Sequence, residues 1–358
     1  MGLDPLGIPP TDSDGITQEE LALATRNRGM PLEALAADIT PPGLHYLLIH
    51  YDIPFVDAAE WRLRIGGAVE SPMSMALHEL QAMPSKTLTV TMECAGNGRA
   101  RLQPRPVSQP WGVEAVGTAR WTGVPLRDLL EIANPLAEAV ELVFTGADHG
   151  TERGVEQDYQ RSLPIEHSMQ AEILLAYAMN GEPIPAQHGH PMRLLVPGWY
   201  GMASVKWLHR IEAVTTPFTG YQQKAYTYHR NETDPGTPVT TIEVRSLMIP
   251  PGFPDFLTRR RVVDEGPVEL RGRAWAGPVE IERVEVGVNG EWFDATLDDP
   301  IGAFAWRGWS AIWTPAPGEH VLTCRATDAN GNTQPLNQPW NTGGFGNNAV
   351  QTVPVTVR

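Results

Sequence analysis

The segment Thr89-Val-Thr-Met-Glu-Cys-Ala-Gly-Asn-Gly-Arg99 sets a cysteine at the end of a β-branched run, followed by small turn residues and an arginine. A thiolate is a soft ligand suited to a redox-active metal, and nearby positive charge favours thiolate over thiol. A lone cysteine also reads as a small buried hydrophobe, so the local chemistry leaves both roles open for Cys94. His188-Gly-His190 puts two imidazoles on one side of an extended stretch, a spacing compatible with zinc, but no third and fourth ligand stand beside it. The sequence has no Gly-rich phosphate loop ending in Lys-Ser/Thr, no His-Glu-X-X-His and no nucleophile elbow around a serine. Those absences argue against P-loop nucleotide hydrolysis, zincin proteolysis and α/β-hydrolase chemistry.

The elements that must carry these residues are mixed. Trp61–Ile65, Leu88–Met92, Glu141–Phe144, Ile173–Tyr177 and Met192–Val196 are short strand candidates between Gly and Pro turns. Leu126–Ala133 has apolar residues at helical spacing, which makes this half an irregular α+β domain. Residues 1–43, rich in Pro, Gly and Asp, form an N-terminal arm with one helix over Thr17–Asn27, whose Thr17 and Glu20 read as a capping box. Asn231–Pro238 is polar and turn-rich and divides residues 44–234 from residues 235–358. Beyond it, Val268–Gly272, Arg283–Val288, Ala311–Trp313, Val321–Thr327 and Val350–Val357 alternate with tight turns such as Asn289-Gly290 and Asn330-Gly331, the pattern of an immunoglobulin-like β-sandwich.

With 358 residues, 42% hydrophobic and 19% charged, the chain has material for two cores. Its net charge of -15, spread without a basic run, argues against nucleic acid and anionic membrane partners. No apolar stretch is long enough to span a bilayer, and Met1–Pro10 has neither a basic n-region nor a twin-arginine signal. The chain as written reads as cytoplasmic, or as periplasmic if a leader has been removed. Cys94 and Cys324 are too few for a disulfide framework and read as independent thiols.

Cys94-Ala-Gly-Asn97, Thr118-Ala-Arg-Trp-Thr-Gly-Val-Pro-Leu-Arg127, His188-Gly-His-Pro-Met-Arg193 and Gly201-Met-Ala-Ser-Val-Lys-Trp-Leu208 resemble, in order, the signatures of the sulfite oxidase family. The resemblance extends from about His45 to the C-terminus, through Phe304–Trp309 and Cys324–Asp328. It implies a mixed α+β molybdopterin-binding domain followed by an immunoglobulin-like domain that makes a homodimer, with molybdenum-molybdopterin as cofactor. Position by position, it makes Cys94 the molybdenum ligand, beside two sulfurs from the pterin dithiolene. His50, Asp148, His188, Arg193, Ser204, Val205 and Lys206 match positions that hold the pterin and its phosphate. Their chemistry suits that task, since Arg and Lys pair with phosphate while Asp and His bond polar ring edges.

By the same resemblance, Arg99, Trp111, Tyr159 and Arg307 match the family's substrate pocket, which would draw on both domains and bind a small oxyanion. Tyr159 and Trp111 read equally as core aromatics, and Arg307 as a structural contact between Trp306 and Trp309. The chain departs from the family at Tyr46-Leu-Leu-Ile-His50, where Leu48 replaces the usual pocket arginine and Ile49 an asparagine. Gly98 and Ala203 also stand where other members have arginines. The expected reaction is oxidation of sulfite to sulfate by oxo transfer. The alternatives are reduction of nitrate or a sulfoxide, or a cofactor-free immunoglobulin-like binding protein. No haem or flavin domain is visible, so electrons would go to oxygen or a separate carrier.

Overall fold

The computed structural model describes residues 16–231 and 233–358, so Met1–Pro10, where the leader expectation falls, lie outside the described residues. The expected helix runs over Gln18–Arg26, with Thr17 Oγ accepting from Glu20 N and the Glu20 carboxylate accepting from Thr17 N. The chain after it crosses both halves of the molecule. Arg28 and Leu47 exchange backbone hydrogen bonds, Arg273 donates to Leu35 O, and Trp306 Nε1 donates to Asp38 O. The arm is thereby a strap packed against both domains.

Two sheets build the first domain. One is ordered Met73–Ala76, Arg62–Gly67, Leu208–Val214, Glu141–Glu152, Val155–Pro164, with only Arg62–Gly67 and Leu208–Val214 running parallel. The other joins Lys86–Glu93 to Val116–Pro125 and then to Leu174–Met179, against which Arg193–Leu195 also pairs. The helix Leu126–Ala133 buries Leu126, Leu129, Leu130 and Ala133, the i, i+3, i+4, i+7 stripe of its sequence, and Asn134 ends it with φ +50°. Each buried leucine contributes about 1.5–3 kcal/mol.

The second domain packs two sheets face to face. Arg245–Met248, Val268–Trp275, Arg307–Trp313 and Thr296–Leu297 form one. Phe253–Pro254, Arg261–Val263, Gln351–Val357, Gly318–Asp328, Ile281–Val288 and Glu291–Asp294 form the other. Alternation along Gly318–Asp328 sends Leu322, Cys324 and Ala326 inward against Leu270, Trp309 and Val355. Asn289 and Gly290, at φ +51° and +95°, close the hairpin between Ile281–Val288 and Glu291–Asp294, as an Asn-Gly pair does. The expected linker holds a small two-stranded pairing of Thr227–Tyr228 with Thr237–Pro238. Among the described residues, no helix is long and apolar enough to cross a membrane.

A buried ion pair joins the domains behind the cysteine. Glu93 and Arg245 meet at 2.8 Å with side chains 2% exposed each. The Glu93 carboxylate also accepts from Trp275 Nε1 and Asn97 Nδ2, while Asn97 Oδ1 accepts from Ala115 N. The residue before Cys94 is therefore tied to strands of the second domain. Thr91 N donating to Phe304 O adds a second tie on the same strand.

Candidate active site

Cys94 ends the strand Lys86–Glu93 and is held by its backbone N–H on Ala115 O. It is a free, buried thiol on the wall of a cleft of about 600 Å³, counting the space open to solvent at its mouth. Burial pushes its pKa up, while Arg99, the Gly96 backbone N–H and the Trp111 indole oppose that shift and favour the thiolate. Trp111 Nε1 is buried with no oxygen or nitrogen acceptor, which leaves it available to the sulfur. Arg99 reaches this position because residue 96 is glycine. A Cβ there would stand 2.5 Å from Arg99 Nη2 and 2.7 Å from Cζ. The guanidinium donates to Gly343 O and Gln109 O and lies over the Phe345 ring.

His50, Asp148, Tyr159, His188, Arg193, Ser204 and Lys206 line the same cleft. The extended segment at 46–50 presents Tyr46, Leu48 and His50. His188 is neutral, its pKa driven down to about 2 by burial and by the charges of His45, Arg193 and Lys206. Its Nε2 is buried without a hydrogen-bond partner. Asp148 Oδ1 is a buried acceptor without a partner. Arg193 donates to His188 O and Ser204 O and leaves Nε unpartnered. Lys206 Nζ donates to Leu48 O at 2.7 Å. Burial lowers the Lys206 pKa to about 7 and raises that of Asp148 to about 6, each against the attraction of the other.

These atoms fit a molybdopterin. Two orphaned polar atoms, the acceptor Asp148 Oδ1 and the ring nitrogen His188 Nε2, match the polar edge of a pterin, the cations Arg193 and Lys206 match a phosphate, and the free thiol matches the metal. Among the described residues no three or more His, Cys, Asp and Glu side chains cluster as a metal site, so nothing completes a zinc set around His188 and His190.

Asp148 gives a testable pH dependence. Its folded pKa, about 6, lies above the ordinary value of 3.8, so the native state binds the proton more tightly. Its contribution to stability is full below pH 3.8 and is lost as pH rises through about 6. The cofactor-free Asp148→Asn variant should lose that part of the pH dependence, as urea titrations between pH 4 and 7 would show.

Other expected residues fall elsewhere. Val205 packs in the core and does not line the cleft, although its backbone carbonyl accepts from Leu194 N. Trp111 is not a lining residue but shares the core around Cys94. Arg307 is not brought to the cleft. It donates to Asp298 O and Ile281 O within the second domain, on the face of its strand that Trp309 and Trp313 share, while Trp306 just before the strand faces the arm. Tyr159 does line the cleft, with its hydroxyl donating to Met202 O.

Residue-level reading passed over His45, Tyr46, Met202 and Tyr226. Tyr226 lines the cleft with its hydroxyl 3.0 Å from His50 Nε2, and His50 is kept neutral by burial and Lys206, with a pKa of about 3. Gly201 admits the Tyr46 hydroxyl, which a Cβ would block. The departures from the family pattern have local reasons. Leu48 faces the cleft half-buried, and Ile49 is buried with its N–H on Asn27 Oδ1. Gly98 sits at φ +87°, and a Cβ would meet Asn347 O at 2.9 Å. Ala203 is in the core.

The first domain matches the family of the oxidoreductase molybdopterin binding domain over residues 50–222, and the second matches the Mo-co oxidoreductase dimerisation domain over residues 237–358. Sulfite oxidase of Gallus gallus is 33% identical over 334 residues, covering 86% of this chain and 71% of that protein. Mitochondrial sulfite oxidase of Homo sapiens is 32% identical over 362 residues, covering 92% of this chain and 64% of its own length. The NADH nitrate reductase of Solanum lycopersicum is 30% identical over 355 residues, 89% of this chain and 38% of that protein. The chain spans 62% and 64% of the lengths of the mouse and human relatives. Among solved structures, the sulfane dehydrogenase SoxCD from Paracoccus pantotrophus shares the fold, with a TM-score of 0.80 and 24% identity over 98% of this chain and 95% of that one. The two matched domains and those relatives together place the chain in the sulfite oxidase family of molybdopterin-dependent oxidoreductases.

Proposed function

We propose that this protein oxidises sulfite to sulfate at a molybdenum held by Cys94, as a homodimer formed through its second, immunoglobulin-like domain. The observation that carries this reading is the Cys94 thiol on the cleft wall with the buried guanidinium of Arg99 beside it. Sulfite and water become sulfate, two protons and two electrons. When bound, the molybdenum cofactor supplies two-electron oxygen-atom transfer. Electrons then pass to a separate acceptor, a small carrier protein or oxygen.

The chain's own residues bind and orient. Asp148, His188, Arg193, Ser204 and Lys206 hold the pterin and its phosphate, and Cys94 fixes the metal. Arg99 offsets part of the burial that raises the Cys94 pKa, which favours the thiolate a metal would bind, and adds positive potential for an anion, while Trp111 lends its N–H to the sulfur. Neutral His50, which would also hold the pterin, is hydrogen-bonded to Tyr226, and that pair lets the Tyr226 hydroxyl face the bound anion without adding charge. Tyr159 is engaged by Met202 O and holds the wall.

A second reading, reduction of nitrate or a sulfoxide on the same cofactor, draws on Leu48 in the cleft and on the nitrate reductase relatives. Parallel assays separate the two: sulfite-dependent dye reduction supports oxidation, whereas nitrate- or sulfoxide-dependent oxidation of a reduced dye without sulfite turnover supports reduction. Leu48→Arg should lower KM for sulfite about tenfold by adding a charge-assisted donor. An unchanged KM would count against sulfite as the substrate.

A further inference from the structure

Six arginines are buried among the described residues: Arg99, Arg161, Arg193, Arg245, Arg261 and Arg273. Three of them have carboxylate partners, Arg245 with Glu93 at 2.8 Å, Arg261 with Glu33 at 3.9 Å and Arg273 with Asp38 at 2.8 Å. Arg99, Arg161 and Arg193 have none among the described residues, and all three stand around the cleft. Arg193 lines it, Arg99 acts on Cys94, and Arg161 lies over the ring of Tyr226 with Cζ 5.5 Å from the centroid. A guanidinium taken out of water without a counter-ion costs the free protein stability, a cost that is offset when a bound ligand supplies the negative charge. A metal-bound Cys94 thiolate would answer for Arg99 and a cofactor phosphate for Arg193. Nothing described so far answers for Arg161.

Arg161 follows Tyr159 by two positions on the strand Val155–Pro164, so both side chains leave the same face. Its Nη1 donates to Gln222 O, the first residue of the turn that delivers Tyr226, and its Nε is buried without a partner. Tyr226 in turn lines the cleft and meets His50. The guanidinium, the phenol ring and the imidazole therefore form a column that ends at the cleft, on which Leu48 offers no charge.

We propose that Arg161 supplies, from behind Tyr226, the positive charge that position 48 lacks, fixing Tyr226 against His50 and determining affinity for the substrate oxyanion. It is a positioning residue, acting through a side chain that faces the anion. The charge behind the ring also makes the Tyr226 hydroxyl a better hydrogen-bond donor. This inference rests on the reading of the cleft as the site of a sulfur oxyanion. Since the interaction is with charge present in both bound substrate and transition state, its loss should appear in KM rather than in kcat.

The test uses the molybdenum-loaded protein and sulfate as probe, with binding read by titration calorimetry and stability by thermal unfolding. Arg161→Gln should weaken sulfate binding about tenfold and raise KM for sulfite in parallel, with kcat held within about twofold. Its melting temperature should stay level or rise, because a buried charge without a partner has been removed. Arg161→Lys, which keeps the charge, should recover most of the affinity. In a Tyr226→Phe background the Arg161→Gln change should add little. Sulfate affinity unchanged in Arg161→Gln, absent already in the wild type, or lost equally in Gln and Lys variants that both melt early, would overturn the proposal. Arg161-dependent sulfate binding without any sulfite turnover would instead overturn the sulfite assignment and leave the anion site standing.

Discussion

Replacing Cys94 by Ser should lower kcat/KM by about a thousandfold or more while the protein keeps its fold and its melting temperature within a few degrees. Among the described residues Cys94 is the one thiol in the cleft lining, where the thioethers of Met92 and Met202 offer no anionic sulfur, and a serine hydroxyl, harder and far less acidic, does not take its place. The fold should survive because the loop is held by other groups. Glu93, Asn97 and Gly98 each carry hydrogen bonds to partners outside it, on Arg245, Ala115 and Asn347. Steady-state kinetics with circular dichroism on the same sample checks both halves. Full turnover in the serine variant would remove the ligand assignment.

Arg245→Ala should destabilise the protein by about 3–5 kcal/mol, because it leaves the Glu93 carboxylate buried without its counter-charge. The remaining donors, Trp275 Nε1 and Asn97 Nδ2, are neutral and stay in place. The same change withdraws a hydrogen bond from Asn347 O, whose residue also bonds Gly98 O in the cysteine loop. Molybdenum content should fall along with stability, since the strand that ends at Cys94 loses its anchor in the second domain. Urea unfolding and metal analysis of the purified variant provide the check. A midpoint equal to that of the wild type would show that the interdomain pair does not hold the cysteine strand.

Local pattern carried the elements whose forces are local. The apolar spacing of Leu126–Ala133 and the Asn289-Gly290 turn were legible because a few neighbouring residues decide them. The arm was legible only as Pro- and Gly-rich chain with one capped helix. Its packing depends on Arg273 and Trp306, residues more than 230 positions away. The cleft divides in the same way. Cys94, His188, Arg193 and Lys206 belong to ordered motifs and meet in space. Arg161, two residues after the motif-assigned Tyr159, was not singled out, Tyr226 sits in a stretch without a motif, and only the folded turn at Gln222 brings them together. Arg307 was assigned by motif, yet it opens the strand Arg307–Trp313 on the face of Trp309 and Trp313, which pack in the second domain's core, while Trp306 just before the strand turns to the arm.

Molybdenum-edge X-ray absorption on the loaded protein tests the central claim most directly, by comparing the wild type with Cys94→Ser. The account predicts a near-stoichiometric metal in the wild type and one sulfur neighbour fewer in the serine variant. An identical sulfur count in the two proteins would contradict it, as would a wild type that stays metal-free when produced in a cofactor-making host.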